Sequence, residues 1–274
     1  MQTILAPTDF SKIARNAIEY AVEIAKRSSA KLVLLHVYEP PIISAEVPIL
    51  LPVADIEKGL RTRLERIKKN LLAKHGKKIS VECQVSGGFV MDEINSFAKE
   101  NKADLVVMGI AGAGYIKEKL IGNTTTSVIK NATFPVIAVH KNVKYKSLKK
   151  IALACDFKET KHKLVLNPLK NLANTFKSHI YILNVVPPSN SIPTISKAVE
   201  GIKLDHSLEG AAHSFHIVEN EDVVSGINHF VDKNKMDMVA MIPRKHSIFK
   251  NVFKERNTKR LAFHTKVPLL ALHE

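Results

Sequence analysis

The sequence predicts an α/β protein of two tandem doubly wound domains, residues 1–144 and 145–274. Each carries a five-stranded, mostly parallel sheet with helices on both faces. Three observations carry this. Short, continuous apolar runs such as Leu105–Met108 and Val136–Val139 suit strands buried on both faces. Those runs alternate with segments of helical periodicity, the pattern of a parallel sheet wound by crossovers. The same order of landmarks then occurs twice along the chain.

In the first half, Ile4–Ala6 is a strand closed by Pro7-Thr8-Asp9-Phe10-Ser11. Asp9 or Ser11 caps the helix that follows, whose apolar stripe includes Ala14, Ala17, Ile18, Ala21, Val22 and Ala25. Leu32–Val37 is the second strand. Residues 39–54, rich in proline and apolar residues, form a crossover. In the basic stretch Lys58–Lys78, Ile56, Leu60, Leu64, Ile67 and Leu71 recur every three or four residues, so its basic side reads as the solvated face of an amphipathic helix. Ile79–Val85 is a third strand ended by Ser86-Gly87-Gly88. A helix over Met91–Lys99 leads to the fourth strand at 105–108, and Pro135–Val139 is the fifth.

The plan restarts beyond a Lys-rich connector at Asn142–Leu148. Ile151–Phe157 repeats Ile4–Phe10 at a shift of 147, and His179–Val185 repeats the second strand. Met236–Met241 repeats Ala103–Met108, with Asp237 opposite Asp104, and Val267–Leu272 repeats Phe134–Val139, both at a shift of 133. The fall in shift makes the second copy shorter between its second and fourth strands.

Composition narrows the function classes. The chain has 274 residues, 45% hydrophobic and 24% charged, as expected of a globular protein with a sizeable core. It contains no apolar run of transmembrane length, and its N-terminus enters a strand at once without signal-peptide features. Cys83 and Cys155 lie in apolar runs, as free buried thiols of a reducing compartment do, so a cytoplasmic protein with no membrane partner is expected. The formal charge of +15 is spread evenly: 21 Lys/Arg against 14 Asp/Glu in residues 1–144, and 20 against 12 in residues 145–274. Without a basic block, nucleic acid is not the expected partner.

The chemistry-bearing stretch is Asp104–Val139. Gly109, Gly112 and Gly122 follow a buried strand and precede a helical pattern starting at Asn123-Thr124-Thr125. They are either ordinary turn glycines or the bare backbone of a nucleotide cradle, with helix-start amides facing an anion. The spacing (Gly, two residues, Gly, nine residues, Gly), together with Pro7-Thr8-Asp9-Phe10-Ser11 and Phe134-Pro135-Val136, resembles the universal stress protein family over nearly all of both halves. The resemblance implies the strand order 3-2-1-4-5 in each domain and a pseudo-two-fold between domains, with strands 135–139 and 268–272 near one another. It further implies a homodimer acting in stress response with a protein partner. In nucleotide-binding members the phosphates lie along the second and third glycines.

By position the resemblance implicates Ala6, Pro7, Thr8, Asp9, Val37, Met108, Gly109, Gly112, Gly122, Asn123, Thr124 and Thr125 in binding ATP, or ADP or AMP, with or without Mg²⁺. Residues 1–144 are thus expected to be the domain with the glycine-rich ATP motif. Asn123 stands where the family has a hydroxyl residue; its amide donates to phosphate but cannot ligate Mg²⁺ as a hydroxyl or ionised group can. Opposite Gly109, Gly112, Gly122 and Asn123 the second half has Ile242, Lys245, Glu255 and Arg256, so residues 145–274 are expected to be a degenerate domain lacking the motif. Asp156 persists there, as a helix cap would.

Other patterns carry less. Ser86-Gly87-Gly88 lacks the remainder of a pyrophosphatase loop, His206, His213 and His216 lack a cysteine and default to core or solvated histidines, and no P-loop spacing occurs. No metal ligand set and no nucleophile–base pair is legible, so no catalytic residue is assigned. The expected activity is ATP-dependent sensing, the nucleotide altering the 109–122 loop and through it the contacts with a partner. An interaction module that binds no nucleotide, or a slow ATPase or autokinase, is the alternative.

Overall fold

A computed structural model describes residues 1–40, 53–110, 123–156, 162–188, 195–243 and 265–273. The first half runs β1 (Thr3–Pro7), α1 (Lys12–Ser28), β2 (Lys31–Tyr38), α2 (Val53–His75), β3 (Ser80–Gly87), α3 (Val90–Glu100), β4 (Leu105–Ile110), α4 (Asn123–Asn131) and β5 (Val136–His140). The second runs β6 (Lys150–Ala154), α5 (His162–Phe176), β7 (His179–Val186), α6 (Ile195–Ser207), β8 (His213–Glu219), α7 (Val223–Asn234), β9 (Met238–Met241) and β10 (Leu269–Ala271). Each strand foreseen from an apolar run is present; β1, β2 and β4 run one or two residues beyond the run, whereas β9 and β10 are shorter than it. β8 and the helices on either side of it were not marked by the sequence.

The ten strands form one sheet in the order β3-β2-β1-β4-β5-β10-β9-β6-β7-β8. Each half is internally parallel with the order 3-2-1-4-5, and the halves meet where β10 pairs antiparallel with β5 (Leu269 opposite Ala138, Leu270 opposite Ile137, Ala271 opposite Val136). Helices cover both faces, because the inner strands are apolar on both sides. Ile4, Ala6, Leu32 and Leu34 pack under α1, α2 and α5 in one apolar layer; Leu5, Val33, Val106 and Met108 pack against α3, α4 and α7 in the other. Both layers run unbroken through the two halves.

Matching sequence landmarks do matching work. Asp104 accepts from the amides of Gln2 (2.6 Å) and Thr3 (3.0 Å), and Asp237 accepts from those of Lys149 (2.7 Å) and Lys150 (2.9 Å). Each carboxylate thus ties the turn before a fourth strand to the start of its first strand. The connector is held as well. Asn16 donates to the carbonyls of His140 (2.9 Å) and Val143 (2.8 Å), and Lys144 donates to Asn16 (2.8 Å). Tyr145 sets its ring edge-on to Tyr20 (5.3 Å) and against Phe176 (6.4 Å), joining α1 to α5. Burial between these rings pushes the Tyr20 hydroxyl well above the usual phenol range.

The second copy is shorter chiefly because α6 has 13 residues where α2 has 23. α2 buries Leu64 and Leu71 over β3, leaving Val81 and Cys83 beneath it covered. Under the shorter α6, Phe215 and Ile217 of β8 stay 42% and 53% exposed.

Candidate functional site

In this strand order the chain leaves β1 towards β2 and leaves β4 towards β5. The carboxyl ends of β1 and β4 therefore flank the crevice in which doubly wound sheets receive ligands. β1 and β4 are paired, Ile4 opposite Leu105 and Leu5 opposite Val106. Ala6 and Pro7 end β1, Thr8 and Asp9 follow it, Val37 lies near the end of β2, and Met108 and Gly109 lie near the end of β4. These seven residues share one edge of the sheet. Asn123 and Thr124 open α4, with Thr124 exposed. Gly112, Gly122 and, in the second half, Phe157, Lys245, Glu255 and Arg256 lie outside the described residues, as does most of the crossover at 39–54.

Local hydrogen bonds explain the shape of the β1–α1 loop. The Thr8 amide donates to the Leu35 carbonyl (2.8 Å), and the Thr8 hydroxyl accepts from the Phe10 amide (3.0 Å). Ser11, not Asp9, is the N-cap of α1, its hydroxyl accepting from the Ala14 amide (3.1 Å). Asp9 accepts from the Ser11 amide (2.9 Å) in an Asx turn and leaves its carboxylate at the surface. Phe10 between them has φ = 65°, left-handed and uncommon for a bulky residue. Three contacts hold it there. Arg15 donates to its carbonyl from Nε (3.2 Å) and Nη2 (3.1 Å), its ring lies 4.4 Å from that of His36, and the Arg63 guanidinium sits 3.9 Å from its centroid.

His36 was not singled out by the sequence. Its Nδ1–H donates to the Thr8 carbonyl (2.7 Å), which fixes the tautomer and pins β2 to the loop. In the second half Asn184 occupies that place and donates to the Cys155 carbonyl (2.7 Å). A lone polar residue in the apolar run Leu32–Val37 was the available signal.

Besides Thr8 and Asp9, two more of the named residues are engaged by the protein itself. A Cβ on Gly109 would lie 2.7 Å from both Cγ2 and the carbonyl oxygen of Ile13, so the glycine admits α1 against β4. The buried Thr125 hydroxyl donates to the Gly109 carbonyl (2.8 Å) and anchors α4 to the same strand. Opposite Gly109, Ile242 is a buried aliphatic residue.

The remaining patterns resolve into structure. The Ser86 hydroxyl donates to Glu93 (2.5 Å), and the Gly88 amide donates to the Tyr38 carbonyl (2.9 Å), a turn into α3. His213 pairs with Asp205 (2.9 Å), while His179 and His216 each lie 2.8 Å from the Ser214 hydroxyl. Burial, reinforced by His213 and His216, holds His179 below the usual imidazole range. Among the described residues no three His, Cys, Asp or Glu side chains converge as a metal site would require. Cys83 and Cys155 are both buried, and neither is in a disulfide.

Known proteins resemble this chain in sequence and in fold. A universal stress protein of Methanocaldococcus jannaschii is 33% identical over 141 residues, covering 50% of this chain and 81% of that protein. One from Thermus aquaticus is 32% identical over 141 residues, covering 50% and 98%. The crystal structure of a universal stress protein from Archaeoglobus fulgidus matches with a TM-score of 0.69 at 17% identity, over 98% of this chain and 97% of that one, and shares its fold. The sequence model described as the universal stress protein family matches residues 1–140 and again residues 147–273, so this chain belongs to that family, with its domain present twice.

Proposed function

We propose that this protein is a cytoplasmic, homodimeric stress-response sensor or adaptor that holds one adenine nucleotide in residues 1–144. Residues 145–274 serve as a degenerate partner domain without a nucleotide of that kind. The observation that carries this reading is the convergence of Pro7, Thr8, Asp9, Val37, Met108 and Gly109 on the carboxyl edge at the β1/β4 crevice, next to the start of α4. In a member of this family, the spacing of Gly109, Gly112 and Gly122 gives that edge a use. The base lies by the β1 and β2 ends, the ribose near Asp9 and Gly109, and the phosphates along Gly112, Gly122, Asn123, Thr124 and Thr125. Asn123, an amide where the family has a hydroxyl, can still donate to phosphate through its side-chain NH₂ group.

Mass spectrometry of the small molecule released on denaturing the purified protein tests this directly, followed by calorimetry with ATP, ADP and AMP on ligand-free protein, with and without Mg²⁺. Binding at one site per chain, weakened at least about tenfold by Gly112→Val in a folded protein, is the expected result. An unchanged affinity in that variant overturns the assignment. A second reading, an interaction module without nucleotide, draws on Gly109: Ile13 already fills the space beside it, so packing alone accounts for that glycine. Calorimetry with no heat from any adenine nucleotide would favour it.

A further inference from the structure

On the face of the sheet covered by α1 and α2, these two helices leave between them a groove of about 370 Å³. That is the size of a small-molecule pocket, about 300–1,000 Å³. Its floor is apolar: Phe10, Ile18 and Leu71 are buried, and Ile67 partly so. Three guanidinium groups, of Arg15, Arg63 and Arg66, line the same groove. Arg15 is fixed by its two bonds to the Phe10 carbonyl, and Arg63 lies over the Phe10 ring. Among the described residues neither Arg63 nor Arg66 forms an ion pair with a carboxylate. The acid in the groove, Glu19, already pairs with Lys74 (2.9 Å) and His75 (3.1 Å) one turn beyond Arg15.

From this arrangement we infer a ligand site that is separate from the β1/β4 crevice and does not depend on a nucleotide there. It takes a soluble amphipathic anion, a phosphate monoester or similar acid on an apolar body. The body lies along Ile18, Ile67 and Leu71, and the acid meets the forks of Arg63 and Arg66, which present paired N–H donors to such oxyanions. This replaces, for those two residues, the expectation that the basic side of α2 is only a solvated face. Arg61 and Lys69, basic residues of the same helix that do not line the groove, keep that role.

Octyl phosphate is a suitable probe, titrated into the full chain by calorimetry and by amide NMR. One site per chain is expected, with shifts at residues 15–19 and 63–71, while inorganic phosphate and octanol bind at least about tenfold more weakly. Arg63→Glu/Arg66→Glu should weaken binding at least about tenfold, whereas Arg61→Glu/Lys69→Glu, with the same change in net charge, should stay within about twofold. Shifts confined to other residues in the wild type overturn the proposal even if a variant fails to fold. So do an equal loss in both double variants, or retention on anionic phospholipid vesicles without binding of free octyl phosphate.

Discussion

Gly109→Ala separates packing from ligand approach at the centre of the crevice. The added Cβ would sit 2.7 Å from the Ile13 carbonyl oxygen, 2.7 Å from its Cγ2 and 2.9 Å from its carbonyl carbon. Ordinary carbon contacts fall at about 3.5–4.0 Å, so the overlap approaches 1 Å. The Ile13 side chain can rotate away, but its backbone belongs to the first turn of α1, whose buried face includes Ala14, Ala17, Ile18 and Ala21. The helix must therefore shift on the sheet, and the expected loss is about 3 kcal/mol, the upper end of overpacking costs. Gly59→Ala is the internal control. Nothing lies within 4 Å of its Cβ in the body of α2, so alanine there should stabilise by up to about 1 kcal/mol. Urea unfolding followed by circular dichroism measures both, with a gap of about 4 kcal/mol between the two variants. If Gly109→Ala falls within about 0.5 kcal/mol of wild type, the glycine is not required by α1 and the packing argument fails.

Asp104→Ala and Asp237→Ala should each lose about 1–2 kcal/mol in the same assay, because each strips two backbone amides of a charged acceptor at a partly solvated site. Equal stability of wild type and both variants would show that water replaces the carboxylates without cost. Burial would raise the Glu19 carboxyl, but hydrogen bonds and charge from Lys74 and His75 outweigh it and hold the group below its usual value. Its stabilising effect is then present above the unfolded carboxyl value and fades as pH falls through the lower folded one. The melting-temperature gap between wild type and Glu19→Gln should close as pH falls through and below the ordinary carboxylate range, and a gap independent of pH refutes the pairing. Burial, reinforced by Glu65, pushes the Cys83 thiol up to about 12, and Cys155 is buried too. A thiol reagent at about pH 8 should label both only after denaturation; rapid native labelling of Cys83 would contradict its burial.

Strands buried on both faces announced themselves in the sequence, because Leu32–Leu35, Val106–Met108 and Ile151–Leu153 have no solvent side on which polar residues would be tolerated. The edge strand β8 did not. With one edge open and a short helix above it, His213, Phe215 and Ile217 share one face and Ser214, His216 and Val218 the other, and neither set reads as core. α5 was equally obscure, since Pro168 stands inside it. At the crevice, chain order was enough to bring the residues named from β1, β2 and β4 to one edge of the sheet. The details there come from partners distant in sequence: His36 holding Thr8, Arg63 on Phe10, and Ile13 against Gly109. Such pairings leave no local periodicity. Asp9 and Ser11 illustrate the limit of local reading, since both are good caps and only the Ala14 amide decides between them.

The antiparallel pairing of β5 with β10 has a consequence for how the two copies can diverge. All five residues of β5 are buried, so residues 1–144 made alone would present a bare, sticky margin. An antiparallel contact between equivalent strands is of the kind a two-fold operator generates, and two such fragments would be expected to close on each other through that margin. Joining the copies in one polypeptide turns that encounter into an intramolecular one, with an effective concentration set by a short tether rather than by expression level. The rear copy then keeps its place by shielding a neighbour's strand. That role does not require a ligand in its own crevice.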